Sequence, residues 1–393
     1  MNAVRLRGLL AGLAAFPHRG STTAQEADAA AWLQRDLEAK GHDVVVEWFS
    51  SPKTYSWEVI GAAGLMAAGL LAAFASPIVG LVLAVVGASW FYTQFAGLPH
   101  PFDALSPRGR SQNLVVRAGE GARQVVFMAH LDSAKTAFVY APARVRQFRR
   151  TFLVSATMAA LSAPVVALQL ALPAARWLGL PIAVYFVANA ALFVWRELRA
   201  PFVNGANDNA TGVAAAVTAF EALAALALPG KITLLLTGCE EVGARGAKAF
   251  HAAHPEETEG SALVVNLDNV GRGVTHLATG EGMLRYFSYR PEGVAAARVA
   301  ARSLGLALPE VEYRLAYFDA LPFAQDRVPV VTLIALDDGI IPNWHWPTDV
   351  LLNVDPAVAE SAALLALETA RAFLLPGAPP SPEVSAVATL AGA

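Results

Sequence analysis

The run Gln124-Val125-Val126-Phe127-Met128-Ala129-His130-Leu131-Asp132 decides the fold class, because an apolar strand ends abruptly in an imidazole and a carboxylate. In α/β folds, groups that do chemistry lie just past the carboxyl ends of the strands. The same figure recurs downstream. Leu234-Leu235-Leu236-Thr237 is followed by Glu240-Glu241, and Val264-Val265-Asn266-Leu267 runs into Asp268. Helical patterns near 210–228 and 243–253 alternate with strand patterns at 232–237, 263–267 and 328–336. That order predicts an α/β sheet with helices on its faces.

Upstream, residues 24–40 carry apolar side chains at helical spacing and stop at Gly41, and 44–49 read as a strand. The runs 111–117 and 124–129, joined by Ala118-Gly119-Glu120-Gly121, predict a hairpin. Residues 8–16, after two arginines, have the outline of a secretory signal. The run is short and Phe16-Pro17-His18 is a poor cleavage site, so an amphipathic first helix is expected.

Two segments break the soluble pattern. Hydrophobic residues make up 55% of the 393 and mean hydropathy is +0.44, above ordinary soluble chains. Residues 59–99 contain no Asp, Glu, Lys, Arg or His, and Ser76-Pro77 marks a turn at the midpoint. Residues 152–195 carry only Arg176, with Pro173 and Pro181 flanking the expected turn. Spans of about 20 residues cross a bilayer, so four spans are expected near 57–75, 78–96, 152–172 and 177–195. They form transmembrane hairpins 57–97 and 152–195, inserted into a discontinuous catalytic domain of 1–56, 98–151 and 196–375. The Pro-, Ala- and Ser-rich tail 376–393 is expected to be disordered.

Charge and cysteine content narrow the chemistry. A net charge of −3 offers no basic field for a nucleic-acid backbone. The single cysteine, Cys239, excludes an intramolecular disulfide framework and a Cys-rich zinc site. Asn207-Asp208-Asn209 and Trp344-His345-Trp346-Pro347-Thr348-Asp349 add donors to those after the strands. Taken singly, each piece has a bland reading as an edge residue, an N-cap or a solvated pair. Together, two His, two Asp and one Glu suit zinc, with one carboxylate left over as a base. His251 and His254 read as a solvated helix surface, and the basic residues before 152 as a topological signal.

The chain resembles the co-catalytic zinc aminopeptidases, metallopeptidase family 28 of clan MH. The resemblance rests on His130-Leu131-Asp132-Ser133, Asp208-Asn209-Ala210-Thr211-Gly212, Glu240-Glu241, Asn266-Leu267-Asp268-Asn269-Val270-Gly271 and His345-Trp346-Pro347-Thr348-Asp349, in the family's order. It implies a three-layer α/β/α zinc-exopeptidase domain with a mixed sheet, and two zinc ions. His130 and Asp268 would hold one, Glu241 and His345 the other, and Asp208 would bridge them. Glu240 would be the general base, and Asp132 would fix the tautomer of His130.

Two departures stand out. Many relatives have a tyrosine, donating to the oxyanion, where Trp344 precedes His345 here, and tryptophan there resembles the single-zinc glutaminyl cyclases of the same fold. Phe318-Asp319-Ala320 also stands where relatives commonly have an Asp-His pair. A metal-free scaffold or receptor is a further alternative. Expected partners are a lipid bilayer and peptides, membrane-associated or apolar, with the hairpins as anchors outside the site. The arginine-rich side of the spans predicts a cytoplasmic catalytic domain.

Overall fold

Val, Leu and Ile fill four strands of the sheet so completely that both faces must be covered, which is the reading the apolar runs support. The computed structural model describes residues 1–99, 101–258 and 260–377, so the tail expected from 376 lies outside the described residues beyond 377. The strands are β1 (Val44–Pro52), β2 (Arg108–Ala118), β3 (Gln124–His130), β4 (Lys231–Thr237), β5 (Ala262–Leu267), β6 (Val274–Glu281), β7 (Phe287–Ser288), β8 (Glu310–Tyr313) and β9 (Val330–Leu336). Their order is β1-β2-β4-β3-β5-β9-β6-β7, with β8 on β6. The centre, β4-β3-β5-β9, is parallel, whereas β1 and β2 run antiparallel to their neighbours, and β6 runs antiparallel to β9 and β7 but parallel to β8. The sheet is therefore mixed, as expected.

Helices α1 (Ala3–Ala14) and α2 (Ala24–Ala39) precede the sheet, and α1 buries Leu6, Leu9, Leu10 and Leu13 as an amphipathic helix should. Two further helical hairpins follow: α3 (Ser56–Ala72) with α4 (Pro77–Phe95), and α5 (Phe148–Leu168) with α6 (Arg176–Arg199). The rest are α7 (Gly212–Ala225), α8 (Arg245–Ala253), α9 (Pro291–Leu304), α10 (Leu321–Gln325) and α11 (Pro356–Leu374). Against the sheet, α7 and α11 pack on β3 and β5 with α1 and α9 alongside, while α8 packs on β1, β2 and β4 with α10 against it.

Two expectations fail. The predicted hairpin of β2 and β3 does not form, because β4 lies between them, antiparallel to β2 and parallel to β3. Their connection instead crosses the start of β4, where the Gly230 N–H donates to the Glu120 carbonyl at 2.9 Å. At Gly119, with φ +70°, a Cβ would stand 2.4 Å from the Gly230 carbonyl oxygen, so the crossing requires glycine. Pro181 also does not flank the second turn: it lies inside α6, and the chain turns at Leu172–Arg176. Bundled neighbours satisfy a backbone group that proline frees, so the helix continues through it.

The two hairpins share a core separate from the sheet's, formed by Ala62, Met66, Leu70, Ala84, Phe91, Phe152 and Phe186 among others. α3 packs on α4 and on α6, and α4 packs on α5. A Cβ at Gly69 would lie 2.6 Å from the Ala84 nitrogen, and one at Gly80 2.6 Å from the Gly69 carbonyl oxygen. These small residues let the backbones of α3 and α4 touch, as in membrane helix pairs. The far turns meet where Phe74 and Trp177 pack edge to face at 5.3 Å, and the near ends meet where Tyr55 and Phe193 pack at 6.1 Å. Outward, the bundle is apolar: Val82 is 57% exposed and Val184 60%. Three helical segments, Pro77–Phe95, Val145–Leu168 and Pro173–Arg199, are long and apolar enough to cross a membrane. Ser56–Ala72 is equally apolar but shorter, at 17 residues.

Candidate metal centre

The carboxyl ends of the parallel strands converge on one buried cluster. His130 closes β3, Glu240 and Glu241 follow β4, and Asp268 follows β5. Asp208 sits in the turn Ala206–Thr211 that leads into α7, and His345 lies in the loop after β9. The Asp208 carboxylate is the centre of symmetry. Its Oδ1 lies 3.3 Å from His130 Nε2, which is itself 3.6 Å from Asp268 Oδ1. Its Oδ2 lies 3.2 Å from His345 Nε2, which is 3.2 Å from Glu241 Oε2. Each oxygen of one aspartate thus faces its own pair of one histidine and one carboxylate.

The donor set fits zinc. Bonds of 2.0–2.1 Å in a tetrahedron put neighbouring ligand atoms about 3.3 Å apart, the spacing these N···O pairs already have. His130, Asp208 and Glu241 offer ligand atoms all within 4.8 Å of one another. Glu241 Oε1 and His345 Nδ1 are buried with no hydrogen-bond partner among the described residues.

Electrostatics point the same way. Burial works against a charged His345, yet Glu241 and Asp208 overcome it and hold the imidazole up at about 10. His130 is raised too, against its burial, by Asp132, Asp208 and Asp268. Asp208 is held below the usual carboxylate range: burial opposes this, and the two imidazoles prevail. Glu240 is pushed well up by burial and by Glu241, Asp319 and Asp268, against the pull of His130. The site draws protons onto its bases in the way it would draw a divalent cation.

The supporting shell is more elaborate than the motifs suggest. The Asp132 carboxylate accepts the backbone N–H of Glu240 at 2.9 Å and of Glu241 at 3.2 Å, and the Ser21 hydroxyl at 2.6 Å. His130 Nδ1 lies 3.1 Å from the Asp132 backbone carbonyl and 3.5 Å from its carboxylate. Asp132 therefore aims the two glutamates as well as the imidazole. Asp349 does the same for the central aspartate: it accepts the N–H of Asn207 at 2.6 Å and of Asp208 at 3.1 Å. Arg19, fully buried, donates to the carbonyls of Leu13, Leu131, Asn204 and Gly205, tying the His130 and Asp208 loops together.

Sequence reasoning missed Tyr313, at the end of β8. Its hydroxyl is buried without a partner among the described residues, and burial together with Asp268, Asp208 and Glu240 raises its phenol. The short strand Glu310-Val311-Glu312-Tyr313 offered only its ending as a signal. Tyr140 was missed as well, and packs edge to face on the His345 ring at 4.5 Å. His251 and His254 stay apart from the cluster, paired with Asp326 at 2.7 Å and Glu47 at 2.9 Å. A cavity of about 1390 Å³ holds the cluster, Tyr313 and Trp344. Contrary to a purely anchoring role for the hairpins, residues of α3 to α6 line it too.

Residues 113–370, two thirds of the sequence, match the model of peptidase family M28. The chain belongs to that family. Its members are zinc-dependent, and the candidate ligands above are the groups such a metal takes. No curated protein matches the sequence. Among solved structures, an aminopeptidase from Aneurinibacillus sp. strain AM-1 is similar at TM-score 0.59 and 13% identity, covering 97% of this chain and 95% of that one. BSAP, a zinc aminopeptidase from Bacillus subtilis, is similar at TM-score 0.57 and 13% identity over 94% of each chain. A Bacteroides thetaiotaomicron glutaminyl cyclase bound to N-acetylhistamine gives 0.56 and 14%, over 94% of this chain and 97% of that one. At such identities the likeness is one of fold, and hydrolase and cyclase share it.

Proposed function

We propose that this M28 protein is a membrane-anchored metallo-aminopeptidase that binds two zinc ions, His130 and Asp268 holding one, His345 and Glu241 the other, and Asp208 bridging them. The observation that carries this reading is the division of Asp208, one oxygen to each histidine. Zinc held there would supply Lewis acidity, polarising the scissile carbonyl and lowering the pKa of water. Glu240, a half-buried neighbour of the cluster that takes no part in the contacts between ligands, removes the proton of the attacking water and returns it to the leaving amine. Asp132 holds Glu240 and Glu241 in register through their backbone N–H groups. The free hydroxyl of Tyr313 donates to the developing oxyanion, the task for which the indole of Trp344 is less suited.

The cyclase reading is favoured by Trp344 and by the fold shared with glutaminyl cyclases. Against it stands a complete second set of donors, Glu241 and His345, which a single-zinc site does not need. A scaffold without metal would have to hold Asp208, Glu240, Glu241 and Asp268 together by protonating His130, His345 and Glu240, a proton load that a bound divalent cation replaces. The anchoring half of the proposal rests on the apolar outer faces of the helices. Arg108, Arg110, Lys135, Arg144, Arg146, Arg149, Arg150, Arg196 and Arg199 gather at the near ends of the spans, with Arg176 at the far turns, so we assign the catalytic domain to the cytoplasm. The test is Glu240→Gln, which removes a base and no ligand: zinc content stays and kcat falls by about 10²–10⁴. Near-normal turnover at full zinc occupancy would discard Glu240 as the base.

A further inference from the structure

The cavity at the metal centre does not end in the catalytic body. Its wall continues onto all four hairpin helices, through Val59 and Ala63 of α3, Phe91 and Phe95 of α4, Phe152 of α5 and Phe186 of α6. Ring contacts run along this wall from the metal centre into the bundle. His345 packs on Trp344 at 5.1 Å, Trp344 on Phe148 at 5.0 Å, Phe152 on Phe95 at 5.2 Å and Phe95 on Phe91 at 4.7 Å. Phe148 and Phe152 are four residues apart on α5 and share a face, so the series is continuous.

The catalytic body fixes this wall in place. Tyr317 donates its hydroxyl to the Phe95 carbonyl at 2.8 Å, and the Leu284 N–H donates to the same oxygen at 3.2 Å. Arg149, at the start of α5, donates to the carbonyls of Met283 at 2.7 Å and Arg314 at 3.0 Å. A bundle that served only to anchor would close its apolar side chains on one another. This one does so only in part: Phe91, Phe152 and Phe186 pack in the hairpin core and at the same time border a space shared with Glu240 and His345, and the whole exceeds the roughly 300–1,000 Å³ of ordinary small-ligand sites.

We propose that the helix-lined end of the cavity is a substrate subsite for a hydrocarbon chain attached beside the scissile amide, so that the substrates are amphiphiles whose amide lies at the metal centre and whose tail lies among α3 to α6. The proposal rests on the amide-hydrolysing reading above and adds the substrate class to it. Burial of a methylene is worth about 0.8 kcal/mol, about fourfold in binding, so affinity should climb up to that steeply with chain length until the subsite is full.

The experiment uses the full chain, zinc-loaded, in lipid nanodiscs. Two photoactivatable probes carry a diazirine at the end of a long alkyl chain: a leucine amide with the chain on the amine side, and an amide of a long-chain 2-amino acid with it on the acyl side. Crosslinked peptides are mapped by mass spectrometry, and turnover of small aminoacyl amides is measured on the same preparation. The expected result is labelling of peptides containing Phe91, Phe95, Phe152 or Phe186 by at least one probe, suppressed by the matching unreactive amide. Ala63→Phe, which fills the subsite, should then lower the ratio of kcat/KM for long-chain over short-chain amides at least tenfold. Labelling confined to outward positions such as Val82 and Val184, unsuppressed by competitor, overturns the subsite even if small amides are cleaved. Suppressible labelling at the four phenylalanines without turnover of any amide sustains the subsite and removes the hydrolase reading instead.

Discussion

Asp349 gives the sharpest test of how the central ligand is aimed. It is 1% exposed, and its two oxygens accept the N–H groups of Asn207 and Asp208 at 2.6 and 3.1 Å. Burial pushes the Asp349 carboxyl up to about 7, so it is a charged acceptor above that pH, where each hydrogen bond is worth about 1.5–3 kcal/mol and the pair contributes on the order of 3–6 kcal/mol to holding that turn. Asp349→Ala leaves both donors buried and unpaired, and the protein should unfold at lower temperature. Asp349→Asn is the more telling variant: it keeps the volume and one acceptor but turns an amide NH₂ toward the other N–H. Asp208 then loses its fixed orientation while every ligand remains. Removing such a supporting group typically weakens metal binding about 10–100-fold, about 1.4–2.8 kcal/mol. Competition against a chromogenic zinc chelator measures this directly in detergent-solubilised protein, with thermal unfolding followed in parallel. If Asp349→Asn bound zinc as tightly as the wild type while unfolding earlier, Asp349 would serve the fold alone and its role in aiming Asp208 would be refuted.

Three further outcomes are expected. Tyr313→Phe should lower kcat by about 10²–10³ with zinc content and KM little changed, the cost of one oxyanion donor; an unchanged kcat would leave that donor unidentified. Glu281 accepts the Phe318 N–H at 2.5 Å and the Tyr289 hydroxyl at 2.8 Å, and burial pushes its carboxyl up to about 8 despite those bonds. The native protein then keeps a proton that the unfolded chain releases above about pH 4.3, so this contribution is full below that value and lost as pH rises through about 8. Stability should fall by up to about 1.4 kcal/mol per pH unit across that window, and Glu281→Gln should flatten the slope; equal slopes in both proteins would contradict it. Lastly, a reporter fused after Ala393 should be active in the cytoplasm, and activity only outside would reverse the proposed orientation.

The central strands of the sheet were legible, though not their parallel pairing, because β3, β4, β5 and β9 are mostly apolar and each leads into a polar residue or turn, a pattern that needs no partner to be read. Four of the six polar side chains of the site, His130, Glu240, Glu241 and Asp268, announced themselves in the same way, as the residues that break those runs, whereas Asp208 and His345 were legible only as parts of their motifs. Strand pairing was not legible: β2 and β3 are separated by a short glycine-bearing loop that looks like a hairpin, and only β4, about a hundred residues later, shows that the loop bridges a gap. Pro181, read as flanking the turn, lies inside the span expected near 177–195, and the helix runs through it because packed neighbours absorb a proline that weighs against a helix in water. Asp349 and Tyr313 were hidden for another reason. Their roles depend on an N–H acceptor geometry and an unpartnered hydroxyl, which arise only when distant segments meet. The hairpins' share in the cavity lay equally out of reach, since an apolar run reads the same whether its side chains face lipid, each other or a substrate.

The most direct test of the central claim reads products by mass. The zinc-loaded full chain is incubated with one peptide that begins with leucine and one that begins with glutamine, with and without a chelator. Expected are free leucine and the shortened peptide from the first, both abolished by the chelator. Loss of ammonia from the glutamine peptide, with no shortened product from either, would contradict the aminopeptidase reading and make the protein a cyclase.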